Sequence, residues 1–211
     1  MRKNKWYEII GEDWVQNAFE YAHEADPDAE LYYNDYNIEE PVKREGVVRL
    51  IGKLQEQGVK IDGVGIQGHW LMDSPDQADI DSSIRIYAGL GMKVMITEMD
   101  IDVLPFDWSR PTADVTLQGE WRESLNPYAT GLPDSMQMAL ADRYADIFRI
   151  LVKYRDDVTR VTFWGLHDGY SWRNNWPVPG RTNYPLLFDR NYQPKPAYYA
   201  VARTVSRESG E

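Results

Sequence analysis

Apolar residues recur along this chain in two alternating rhythms. Four short runs, 31–37, 64–70, 94–101 and 160–166, are bounded by polar or Gly/Pro punctuation, and three of them carry β-branched or aromatic clusters. That is the pattern of buried strands. Between them the apolar spacing lengthens to that of helices. Residues 12–25 place Trp14, Val15, Ala18, Phe19 and Ala22 on one stripe. Residues 43–57 do so with Val47, Leu50, Ile51 and Leu54, followed by Gly58 in the position of a C-cap. Residues 78–90 carry Ile80, Ile84 and Ala88, and 134–154 carry Met136, Leu140, Tyr144, Ile147, Leu151 and Tyr154. A last helix is expected from about 196 to 207. Strand and helix alternate throughout, and the first three strands start about 31 residues apart. This is the rhythm of βα units in a parallel sheet, so the fold class is α/β.

Polar residues gather where these strands end. They read Asn34-Asp35-Tyr36-Asn37, Gln67-Gly68-His69-Trp70, Thr97-Glu98-Met99-Asp100 and His167-Asp168. Functional groups at the carboxyl ends of successive parallel strands are the layout of a TIM-barrel site. Four strands make only half of such a barrel. No GxGxxG or GxxxxGK[ST] follows any strand, which disfavours a nucleotide site.

Composition narrows the choices. The 211 residues include 34 acidic and 23 basic ones, a net charge of −11. Binding a phosphate backbone requires clustered Lys and Arg, so nucleic acid is disfavoured, as is an anionic membrane surface. There is no cysteine, which removes disulfides, thiolate metal sites and a cysteine nucleophile. No run of 18 apolar residues is long enough to span a membrane. The stretch Met1-Arg2-Lys3-Asn4-Lys5 leads into a polar helix and lacks a signal-peptide pattern. The aromatic fraction is 13%, with 8 Trp and 14 Tyr. Most such rings serve the core, but some stack on flat apolar ligand faces, as sugars present.

The third strand carries the sharpest chemistry. With a period of two, Glu98 and Asp100 point to one face. Two carboxylates there repel unless a positive or hydrogen-bonding group separates them. His69, ending the neighbouring strand, is placed to donate to both. A glutamate held ionised in this way is a competent nucleophile at a sugar anomeric carbon. Alone, Glu98 reads equally well as a cap for the next helix, and His69 as a structural histidine. The convergence of Gln67, His69 and a Trp-rich loop favours catalysis. Trp164 sits at the end of the fourth strand and Trp172 in its loop, and both suit pyranose stacking. Trp176 reads either as an extension of that surface or as packing beneath Pro177 and Pro179. Arg181 either braces the site or forms a structural ion pair.

These residues resemble glycoside hydrolase family 10, typified by endo-β-1,4-xylanases. The carriers are Leu31-Tyr32-Tyr33-Asn34-Asp35-Tyr36-Asn37, the segment ending Gly65-Ile66-Gln67-Gly68-His69-Trp70, Ile96-Thr97-Glu98-Met99-Asp100, and Val161-Thr162-Phe163-Trp164-Gly165. Tyr184-Pro185-Leu186-Leu187-Phe188-Asp189 and Pro194-Lys195-Pro196-Ala197 agree as well. The resemblance implies a (β/α)8 barrel and retaining hydrolysis of xylan without a cofactor. It implies Glu98 as nucleophile, hydrogen-bonded to His69, with Asp100 supporting the histidine. Gln67, Trp164 and Trp172 would shape the glycone side, Tyr36 and Asn37 the aglycone side. It also implies a secreted or periplasmic location, with any signal outside this chain.

One departure matters. The family's acid/base glutamate follows an asparagine at the end of the fourth barrel strand, and no Asn-Glu pair occurs here. By order, residues 1–211 are then the C-terminal half of a catalytic domain, lacking strands one to four. Half a barrel has open strand edges, so self-association or a complementing N-terminal half is expected rather than a stable monomer. Two other classes stay open: a non-catalytic sugar-binding or assembly half barrel, and a metal-dependent barrel hydrolase using His69, His167, Asp100 and Asp168.

Overall fold

The computed structural model describes residues 4–105 and 119–208. Of the N-terminal stretch read above, residues 1–3 lie outside the described residues. The described elements run α1 (Lys5–Ile10), α2 (Trp14–Ala25), β1 (Tyr32–Asp35), α3 (Pro41–Glu56), β2 (Gly63–Ile66), β3 (His69–Leu71), α4 (Gln77–Gly89), β4 (Lys93–Asp102), α5 (Asp134–Lys153), β5 (Val158–Phe163) and α6 (Pro196–Glu208). The sheet order is β1-β2-β4-β3, and β5 also pairs with β4. The three ladders with defined register are parallel. The parallel α/β class is therefore realised.

Five strands appear among the described residues where four were expected. The expected strand 64–70 is two strands, because Gly68 has φ +81° and turns the chain between them. Only glycine takes that backbone angle readily. The fourth expected strand, 160–166, starts two residues earlier and ends at Phe163, before Gly165 at φ +147°.

The chain divides into two compact units, interleaved in sequence. One holds the chain up to Gln67 together with Ala78–Thr97 and Tyr154–Val161. The other holds Gly68–Gln77, Glu98–Lys153 and the chain from Thr162 onward.

In the first unit β2 is buried along its whole length and lies between β1 and the first half of β4. Strands covered on both faces of a parallel sheet read as unbroken apolar runs, as Val64 and Ile66 do here. Gly65 answers a local crowding. Thr97 Oγ1 donates to Asn34 Oδ1 at 2.8 Å, from the two strands flanking β2. A Cβ on Gly65 would stand 2.6 Å from that same Asn34 oxygen. The helices cover this sheet with the stripes read from sequence: Val15 and Phe19 of α2, Val47, Ile51 and Leu54 of α3, and Ile80, Ile84 and Tyr87 of α4 are buried. Pro41 opens α3 two residues before the predicted start, because its missing N–H and fixed φ suit a first helical position. Tyr87 donates from its hydroxyl to the Ile38 carbonyl at 2.7 Å. Burial pushes that phenol well above its ordinary pKa, keeping the donor protonated.

In the second unit β3 pairs with the last residues of β4, placing His69 beside Asp100, Trp70 beside Ile101 and Leu71 beside Asp102. Helix α5 buries Leu140, Tyr144, Ile147, Phe148 and Leu151. The Tyr144 hydroxyl donates to the Pro185 carbonyl at 2.6 Å. This apolar floor holds the end of β4, from which the candidate site rises.

Candidate active site

Glu98, Asp100 and Asp102 lie at alternate positions of β4, so the pleat sends their carboxylates to one side. Their exposure falls along the row. The Glu98 side chain keeps 17% of its surface, while Asp100 and Asp102 keep none. His69 lies between the first two. Its Nε2 is 3.3 Å from Glu98 Oε2, and its Nδ1 is 3.1 Å from Asp100 Oδ2. The Nδ1 contact is a close approach that lacks the alignment of a hydrogen bond.

Asp100 is a buried anion with several donors. Trp172 Nε1 donates to its Oδ2 at 2.6 Å and Arg173 Nε to its Oδ1 at 3.0 Å. Burial pushes this carboxyl up, but the Arg173 charge, with the His69 and Trp172 contacts, outweighs it and holds Asp100 below the ordinary carboxylate range. Asp102 lies behind it. It accepts from Asn183 Nδ2 at 2.6 Å, from the Leu104 amide at 2.9 Å and from Arg181 at 3.3 Å. Arg173 reaches it too, with Nη1 3.6 Å from Asp102 Oδ2.

The tryptophans divide into two kinds. Trp164 is 47% exposed, with its backbone amide tied to the Met99 carbonyl at 3.0 Å. Its ring stands 6.3 Å from His69, nearly edge-on at 76°. It is the more exposed of the two indoles beside His69. Trp172 is packed on several sides: His69 is 4.9 Å away, Trp176 stacks on it at 4.9 Å and 17°, and the Arg173 guanidinium lies 4.8 Å from its ring. Trp176 itself is half-buried. Gly165 follows Trp164 with φ +147°, and a Cβ there would meet Leu186 Cδ1 at 2.7 Å. Glycine therefore keeps the tryptophan loop seated.

Arg181 is buried and also bonds the carbonyls of Trp176 and Arg173, so it is a structural ion-pair partner of Asp102 within the site's base. Asp168 is committed to Lys195, at 2.9 Å, and to the Leu186 amide. Burial pushes the Asp168 carboxyl up, against the pull of Lys195. His167 Nδ1 accepts from the Gly169 amide at 3.2 Å, and its ring packs on Tyr170 and Tyr192. Among the described residues no three or more His, Asp or Glu groups are arranged to hold a metal ion. The metal-dependent reading therefore gains no support from the geometry.

The remaining candidates belong to the first unit. Gln67 is half-buried, and its backbone N–H donates to the Asp35 carbonyl at 3.2 Å. Tyr36 has Lys43 Nζ 3.5 Å from its ring centre, and Lys43 pairs with Asp35 at 3.0 Å. One face of Tyr36 is therefore taken. Asn37 has φ +54°, a left-handed turn position that asparagine tolerates, and its carbonyl accepts from Glu40 at the entry to α3.

Sequence reasoning missed Asp102, Arg173, Asn183 and Lys195. Asp102 had a signal, since it continues the alternation of Glu98 and Asp100. Arg173 and Asn183 reach back to β4 from segments distant in sequence, which leaves no local pattern, and Lys195 bonds Asp168 and the Tyr184 and Leu186 carbonyls.

A parallel α/β sheet thus ends in a histidine between a part-exposed and a buried carboxylate, beside an exposed indole. Residues 1–204 match glycosyl hydrolase family 10, and the chain belongs to that family. It is 46% identical over 202 residues to an endo-1,4-beta-xylanase A of Xylanibacter ruminicola, covering 96% of this chain and 55% of that protein. A solved GH10 endoxylanase from a sugarcane soil metagenome is 50% identical with a TM-score of 0.92, over 96% of this chain and 59% of that one. A solved mutant in complex with xylotriose is 38% identical with a TM-score of 0.81, over 95% and 57% of the respective chains. The family's structures are TIM barrels, and this chain spans about half the length of the relatives it matches.

Proposed function

We propose that this chain supplies the nucleophile half of a retaining β-1,4-xylan hydrolase, residues 1–211 acting as one half of a catalytic domain. The observation that carries the reading is His69 contacting both Glu98 and the buried Asp100 in a chain of family 10. Glu98 attacks the anomeric carbon. His69 orients it, and Asp100 orients His69. Trp164 offers its exposed indole to a pyranose ring, with Gln67 and Trp172 shaping the glycone side. Tyr36 and Asn37 serve the aglycone side, Tyr36 through one ring face. The xylanase names of the relatives and the xylotriose complex support xylan or xylo-oligosaccharides as substrate. The family further favours a secreted or periplasmic protein.

The sequence contains no Asn-Glu pair, so the acid/base glutamate comes from outside these 211 residues. In the retaining route it stands about 5–5.5 Å from the nucleophile, first protonating the leaving oxygen and then activating water. General acid help is worth about 10²–10⁴-fold. The chain, alone or self-associated, is accordingly very weak or inactive, and acts with a complementing N-terminal half. The test is hydrolysis of xylo-oligosaccharides with and without an added N-terminal half of a family member. Activity should appear only on complementation and vanish with Glu98→Ala. Clear turnover by the pure monomeric chain would overturn the reading. The missing acid also favours a second reading, a sugar-binding half barrel. In that case xylo-oligosaccharide binding survives Glu98→Ala and no complement restores hydrolysis.

A further inference from the structure

We infer that Arg173 is a positioning residue for the Glu98–His69 pair, acting through Asp100, and that Asp102 and Arg181 hold Arg173 in turn. The catalytic consequence rests on Glu98 being the nucleophile, but the positioning itself does not.

The problem this solves is electrostatic. Asp100 and Asp102 lie on one face of one strand, both fully buried, where two carboxylates repel and each is costly to ionise. Arg173 spans them. Its Nε donates to Asp100 Oδ1 at 3.0 Å, and its Nη1 lies 3.6 Å from Asp102 Oδ2. A guanidinium presents fixed, separated donors that an ammonium cannot. The far side of Asp102 is closed by Arg181, at 3.3 Å, and Asn183, at 2.6 Å. Arg173 is only 2% exposed, so this charge is retained for its two partners rather than for solvent.

Delivery is local. Trp172 and Arg173 belong to one helical turn, Trp172–Asn174, capped by Ser171, whose Oγ accepts from the Arg173 amide at 3.2 Å. That turn brings two donors to Asp100 at once, the Trp172 indole on Oδ2 and the Arg173 Nε on Oδ1. Asp100 Oδ2 is also the oxygen that faces His69 Nδ1. With both oxygens pinned, the carboxylate has one orientation, and His69 has a fixed anion against which to turn Nε2 toward Glu98. Without Arg173, Asp100 would take a proton more readily, and His69 would lose the partner that sets its ring.

The experiment uses the full chain labelled at aspartate carboxyl carbons and histidine ring nitrogens, comparing wild type, Arg173→Met and Arg173→Lys by NMR through the acid range. In R173M the Asp100 midpoint should rise by roughly 1–3 pH units, the usual influence of an adjacent opposite charge. The His69 Nδ1 signal should change at the same midpoint. R173K keeps the charge but loses the fork, and should fall between the two; it also decides the matter if R173M does not fold. Asp100 and His69 titrations that coincide in wild type and R173K, and in R173M where folded, would overturn the inference. Because no turnover is read, loss of the xylanase reading leaves this result standing. Conversely, xylan hydrolysis with unmoved Asp100 and His69 would sink the positioning role alone.

Discussion

Asp100 shows what a buried charge demands of its neighbours. Its carboxyl has no exposure, yet two donors bond it, His69 faces it, and its pKa is held below the ordinary range. A carboxylate whose folded pKa is depressed contributes stability above its unfolded pKa, near 3.9, and that contribution is lost as pH falls through the folded value. The chain should therefore lose urea resistance on the acid side, from the ordinary aspartate range downward. Asp100→Asn should be less stable at neutral pH and show a flatter acid limb. Parallel acid limbs in urea titrations of the two proteins would show that Asp100 is not the group responsible. The same residue marks what is legible from sequence. The alternation of Glu98 and Asp100 and the nearness of His69 could be read from strand patterning. Arg173 could not, because only the fold brings its turn back to β4.

At the scale of elements, most of the helices and strands were legible, because buried stripes and runs are strong signals. The boundaries were not. The single strand expected over 64–70 breaks at Gly68, whose positive φ depends on the chain turning there, which hydrophobicity does not record. The fourth strand was expected too late because its flanking Trp164 and Leu166 are apolar yet exposed, at 47% and 72%, and mimic strand interior. Gly65 carries an element-level prediction. Adding a methyl at this position forces Asn34 and Thr97 apart over β2. Gly65→Ala should cost about 1–3 kcal/mol, the usual penalty of overpacking. Chemical denaturation measures it, and an unchanged midpoint would mean that the three strands relax freely around the added carbon.

Over the whole molecule, the sheet ends in strands with a single partner. Among the described residues β1 pairs only with β2, and β5 only with β4, and both are part-exposed. Helix α1 buries none of its side chains and exposes Trp6 and Ile9. Open edges and uncovered apolar rings invite another chain. The mass measured by light scattering at micromolar concentration should exceed that of one chain; a monomer at that concentration would speak against self-association. The interleaving of the two units has a kinetic consequence. Each is built from three separated stretches of sequence, and the first closes only when Tyr154–Val161 returns to the earlier strands. Contacts between distant parts of a chain are slow to form, since loop closure precedes any reward. Emerging from the ribosome, this polypeptide holds both units unfinished until nearly all of β5 has been made. No single cut in it releases either unit whole.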